Sequence, residues 1–221
     1  MASRETLDRN FRSNQALLDG IQRSTGGGDG PEGDGSTLRV VTPEANWSWG
    51  DTYAYLDLEV RVPASLALEV QDSSGDVQVE DVAALTKRDG SGKIECCRVD
   101  RGGRIADSSG DIDVRNAGSV VVDDDSSGDI ELSDIGGDAR IERDSSGDID
   151  LADIQGNAMV EVDSSGDIEF TRIKGSASVD RDSSGGIRAE DVGGDFVVRI
   201  DGSGGIHHHG VAGRVDIPED D

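Results

Sequence analysis

The chain has 221 residues and a formal net charge of −26, from 47 Asp and Glu against 21 Lys and Arg, which argues against nucleic acid or an anionic membrane as partner, since both call for a basic face. It is 33% hydrophobic but only 3% aromatic, with 31 Gly, so it can bury a core, though a thin aliphatic one. No apolar run reaches the roughly 18 residues that a membrane-spanning helix needs.

In chain order, residues 1–37 read as a flexible N-terminal segment. Leu7, Phe11, Leu18 and Ile21 predict one short amphipathic helix, and GGGDGPEGDGS, Gly26 to Ser36, is too polar and Gly-rich to pack. The opening residues lack the basic and apolar stretches of a secretory signal, so either the chain stays in the cytoplasm or the sequence lacks its export segment. Residues 38–71 read as cap strands. Trp47, Trp49, Tyr53 and Tyr55 are four of the seven aromatic residues, and such rings close the open end of a stacked fold; an aromatic binding platform is the alternative. Leu56, Leu58, Val60 and Val62 alternate, Pro63 interrupts, and Leu66, Leu68 and Val70 lead into Asp72 as strands.

From Asp72 the chain repeats itself. The motif DSSGD and its variants begin at Asp72, Asp89, Asp107, Asp125, Asp144, Asp163, Asp182 and Asp201, a spacing of 17, 18, 18, 19, 19, 19 and 19. A period near 19 is too short for a strand plus a helix, and no copy shows helical spacing. In the copy starting at Asp144, Ile149 and Leu151 alternate, Ile154 follows a corner, and Ala158 and Val160 alternate again, which describes two short strands joined by turns. The sixth place runs Val77, Ile94, Ile112, Ile130, Ile149, Ile168, Ile187, Ile206; the eighth runs from Val79 through Leu151 to His208, and the eleventh from Val82 to Val211. Stacked copies turn these places into aliphatic ladders. The predicted fold is therefore all-β, a single-stranded parallel β-helix or β-solenoid over residues 72–217, with about eight coils of 17–19 residues and an acidic tail at 218–221. At about 4.8 Å per coil the rod is about 40 Å long.

Gly holds the fourth place in every copy, as expected where the backbone must bend or take positive φ. Asp and Ser beside it are expected to bond nearby backbone N–H groups, and stacked Ser hydroxyls to bond one another. Three columns are expected on the outer edge: Asp at the first place, mostly Asp at the fifth, mostly acidic residues at the seventh. In coils three to six they supply twelve carboxylates, and like charges about 5 Å apart repel by just under 1 kcal/mol per pair even in water. Either counter-ions gather there or the Asp side chains turn into the corner. Calcium is the natural ion for rigid rows of hard oxygen ligands, with Asp111, Asp129, Asp148 and Asp167 as its ligands. A solvated acidic face is the alternative.

His207 and His209 share the outer face of a strand while His208 takes the inward eighth place. A zinc or copper site there is disfavoured by Arg188 beside His207, and a solvated last coil is the competing reading. Adjacent Cys96 and Cys97 point to opposite faces, which speaks against a disulfide between them and leaves Cys96 as a small core residue. GKIECCRVDRGGRI, Gly92 to Ile105, departs from the repeat and leaves the second coil's register open.

The phrase YLDLEVRVPASLALEVQDSSGDVQVEDV, Tyr55 to Val82, followed by iterated SSGDI and short β-branched strands, resembles the bacterial adhesin-like family of β-strand-repeat proteins, a domain of unknown function. The likeness covers about residues 50–217. It implies a right-handed parallel β-helix, a cell-envelope or exported setting, and no catalytic residues. Two function classes follow. One is a non-enzymatic structural or adhesive solenoid that contacts a protein, glycan or cell-wall polymer. The other is a carbohydrate-active β-helix enzyme, which needs extended loops around a cleft and aromatic platforms on the flank. The near absence of loops favours the first. An ice-binding face would want flat rows of Thr, where this chain repeats Asp and Ser.

Overall fold

The computed structural model describes residues 23–24, 37–41 and 59–218. The proposed ring cap, Trp47 to Tyr55, and the proposed helix around Leu7 to Ile21 lie outside the described residues. Strands β1 (Arg23–Ser24), β2 (Thr37–Val41) and β3 (Ala67–Gln71) lead into the stack. Coil one contains β4 (Val77–Val82) and β5 (Ala84–Arg88). In coils two and three a single strand runs through both faces: β6 (Ile94–Ala106) and β7 (Ile112–Asp124). The remaining coils each carry two strands: β8 (Ile130–Ile135) and β9 (Ala139–Ile141), β10 (Ile149–Ala152) and β11 (Ala158–Val162), β12 (Ile168–Ile173) and β13 (Ala177–Arg181), β14 (Ile187–Val192) and β15 (Phe196–Val198), β16 (Ile206–His209) and β17 (Val215–Asp216). No described residue is helical.

Every pairing within the stack is parallel and joins a strand to its counterpart one coil away, as a β-solenoid requires. The first face carries the sixth-place ladder without a slip. Val77 pairs with Ile94, Ile94 with Ile112, Ile112 with Ile130, and so on through Ile149, Ile168 and Ile187 to Ile206. The second face begins earlier, because β2 pairs with β3 in parallel register and β1 closes antiparallel on β2. Its inward ladder runs from Leu68 through Leu85, Gly103, Val120 and Ala139 to Val215. Small Ala on this face opposes larger Ile, Leu and Phe on the other, and the two faces close on one core in which most side chains are wholly buried. Burying a side chain the size of Leu151 contributes about 2 kcal/mol, and the ladder repeats that gain at every coil.

The irregular stretch after Gly92 keeps its register: Ile94, Cys96 and Val99 pair with Ile112, Val114 and Ala117 before a bulge between Val99 and Gly102 absorbs the extra residues. Cys96 is buried in the eighth-place ladder and both cysteines are free. One expectation fails at the entry to the stack: Val60 and Val62 precede β3 without strand pairing, because Pro63 starts a turn in which Leu66 N–H donates to the Pro63 carbonyl. Val62 nonetheless packs on the core.

Two corners per coil make the winding possible. At the first, the fourth-place glycines have φ between +114° and +147°, a region that side chains avoid. From Gly92 onward a Cβ would also collide with the glycine of the coil before. At the second corner, the tenth-place residues Asp81, Arg98, Asn116, Asp134, Asp153, Arg172 and Asp191 all have φ of 54° to 57°. A left-handed residue costs about 1–2 kcal/mol when it carries a side chain, and the eighth coil uses Gly210 there instead.

Candidate functional site

The DSSGD corner is where this sequence concentrates its chemistry, and the structure divides its columns between inside and outside. Of the two arrangements the sequence allows for the first-place aspartates, the inward turn holds from Asp89 to Asp182, while Asp72 and Asp201 at the ends of the stack are half-buried. Asp125, Asp144 and Asp163 are 0% exposed, with Asp107 and Asp182 nearly so. The chain turns inward for a local reason: Oδ1 caps the corner, accepting the backbone N–H of Ser108 in coil three, Ser145 in coil five and Ser165 in coil six. Such an Asx cap holds the carboxyl over the bend and keeps it out of water. The second oxygen, Oδ2, is buried without a hydrogen-bond partner in Asp107, Asp125, Asp144, Asp163 and Asp182.

Burial, followed by the charge of the neighbouring carboxyls, raises these groups well above the ordinary carboxylate range. Asp125 and Asp144 are pushed up to about 6 and Asp163 to about 7, against the pull of the Ser N–H donors. Asp107 and Asp182 are raised for the same leading reason.

Lys87 joins this interior row, and sequence reasoning missed it. It occupies the inward column between Val70 and Ile105 on the second face, its side chain is 0% exposed, and Nζ lies 3.2 Å from Asp89 Oδ2. Its signal was present in the alternation Leu85, Lys87, Asp89, three inward positions two apart, but a Lys next to Arg88 reads as surface.

The fifth-place aspartates do face outward. Asp111, Asp129, Asp148 and Asp167 are exposed, and each spends Oδ1 on the fifth-place N–H of the next coil: Asp111 accepts from Asp129, Asp129 from Asp148, Asp148 from Asp167, and Asp167 from Gly186 at 2.7 Å. These carboxylates stitch coil to coil. Among the described residues, no three His, Cys, Asp or Glu side chains converge on a geometry that would hold a metal ion.

The Ser hydroxyls do not run as a chain of their own. Ser109, Ser146, Ser165 and Ser184 donate from Oγ to the second-place carbonyl of the coil before, at 3.1–3.3 Å. In the seventh-place column, Asp113 is covered by Arg115, which also reaches Glu131, while Lys93 stands 3.9 Å away. The second face carries its own ionic rows: Arg104 meets Asp123 and Glu142, and Arg140 meets Glu161. In the last coil, His207 and His209 pair with Arg188 and Glu190 as expected. His208 points inward over Phe196, with ring centroids 6.2 Å apart, yet is exposed because no described coil lies above it.

No protein-family model, no curated protein and no solved structure matches the chain. The class it falls into is defined by its own geometry: a parallel β-solenoid with an inward column of carboxyls at one corner and charged, ion-paired faces outside.

Proposed function

We propose that this β-solenoid is a non-enzymatic, adhesin-like scaffold of the bacterial cell envelope, offering its faces to a protein, a glycan or a cell-wall polymer. The observation that carries the reading is the unbroken register from Val77 to Ile206. It gives a regular first face about 34 Å long, seven rises of about 4.8 Å, which suits an extended or polymeric partner. The corners support it too, since their Asp and Ser groups are committed to coil-to-coil hydrogen bonds. Ion pairs such as Arg104 with Asp123 hold outward side chains in fixed rows, which favours recognition by pattern and charge over capture in a pocket.

The reading is tested by applying the labelled full chain to isolated bacterial envelope fractions and to glycan arrays. Saturable binding is expected, weakened at high salt and lost when Arg104 and Arg140 are both replaced by Glu. Absence of saturable binding to every fraction, or release of cleaved sugar from a polysaccharide by the chain, overturns it.

A further inference from the structure

Inside the corner runs a row of carboxyls with too few cations. Asp125, Asp144, Asp163 and Asp182 each spend Oδ1 on a Ser N–H, and each keeps Oδ2 buried with no donor. An ionised oxygen in that position is strongly disfavoured. Coil two shows one remedy, the buried ammonium of Lys87 at 3.2 Å from Asp89 Oδ2. Further along, the column that Lys87 shares is filled by Ile105, Val122, Ile141, Val160 and Val179, so the remedy is not repeated. Among the described residues, no three His, Cys, Asp or Glu side chains converge around these oxygens. What each orphan oxygen does have is a neighbour of its own kind one rung away, with Asp125 and Asp144, and Asp182 and Asp201, directly paired across coils.

We propose that the buried first-place carboxyls take up protons inside the corner, which makes this interior row a proton-binding device that couples the cohesion of the solenoid to pH. A proton on Oδ2 removes the charge from a buried oxygen that no donor reaches, and with it the repulsion between carboxyls on neighbouring rungs about 4.8 Å apart. The charged groups facing the row are its own members, Lys87 near Asp89 and Asp107, and the outer Asp124, Asp129 and Asp167; the single base among them is Lys87. This inference is independent of the proposed envelope role and extends to what the protein senses.

The sign follows from linkage. Burial lifts Asp125, Asp144 and Asp163 to about 6, 6 and 7 from an ordinary 3.8, so the folded chain holds protons that the unfolded chain releases. The stabilisation is complete below about pH 4, declines as the pH climbs, and is gone above about pH 7.

Two measurements on the full chain test it. Difference potentiometry at about pH 6 compares the native chain with the chain in urea; the native chain is expected to hold at least about one extra proton, whereas equal uptake overturns the proposal. Thermal unfolding between about pH 5 and pH 8 is expected to show a melting temperature that falls by several degrees. In Asp144→Asn/Asp163→Asn it should fall less, because each amide keeps the acceptor for Ser and carries no charge to be buried at high pH. A wild-type midpoint that is flat or rises over that interval overturns the proposal. So does proton release on adding calcium chloride with a matching rise in midpoint, which would assign the row to a cation.

Discussion

A single ammonium group, Lys87 Nζ, stands in a column that Val70 and Ile105 otherwise line with hydrocarbon. Taking two charges out of water is tolerated only when they satisfy one another, and removing one partner strands the other. Lys87→Met is therefore expected to lower stability by about 3 kcal/mol, read from the urea midpoint, because it strips buried Asp89 of its counter-charge. Adding Asp89→Asn should recover most of that loss, since the pair contributes little beyond its own neutralisation. The cysteines offer a second check at this scale. Burial, then the neighbouring Cys97, pushes the Cys96 thiol up to about 12, and burial with nearby Glu95 and Asp113 raises Cys97 as well. Since the thiolate is the nucleophile, iodoacetamide at about pH 8 should label half-buried Cys97 slowly and Cys96 only once urea is added, as mass spectrometry of the digest would show.

At the scale of the strand and its turns, one coil is a contract between two corners and two ladders. The fourth-place glycine binds that contract most tightly. In Gly147→Ala the new methyl would meet the carbonyl oxygen of Gly128 at a φ of +128°, and a loss of about 3 kcal/mol by chemical denaturation is expected. Ile149→Val, which trims the ladder without touching the turn, should cost only about 1 kcal/mol.

Much of this is legible in the sequence. Invariant Gly at the fourth place, alternation at Ile149 and Leu151, and a common apolar residue at the eleventh place specify the turn and the inward face together, so the sixth-place pairings follow. The carboxyl column was harder to read. An Asp is placed outside by default, and counting by twos from the ladder reaches Asp107 from Ile105 but overshoots Asp163 from Val160, which lies three residues away. The register shift that accompanies Asp124 opposite Ala106 marks where the count changes. Only the Asx cap, a bond between a side chain and its own turn, decides that these aspartates point inward. The tenth-place left-handed residues were equally hidden, because Asp, Asn and Arg share that corner and no Gly advertises it until Gly210.

Over the whole molecule, stability is close to a sum over coils and the contacts between neighbours. Excising residues 144–162, one complete turn, is expected to leave a folded chain with unchanged β-type circular dichroism and a lower melting temperature. Excising half that length should abolish the cooperative transition, since it would set Ile130 against the wrong partner. The net charge of −26 acts at this scale too: self-repulsion across the acidic edge opposes compaction, so moderate sodium chloride should raise the melting temperature by screening it.

One geometric fact reaches further. The backbone hydrogen bonds of this rod, such as Ile149 N–H to the Asp167 carbonyl and Gly166 N–H to the Ser184 carbonyl, lie along its length, so a load applied between its two ends bears on one layer of bonds at a time. Under tension such a body peels like a zip, giving way layer by layer at modest force and paying out chain with each step. A tether built this way absorbs a tug by lengthening, where a sandwich fold loaded in shear would hold and then snap.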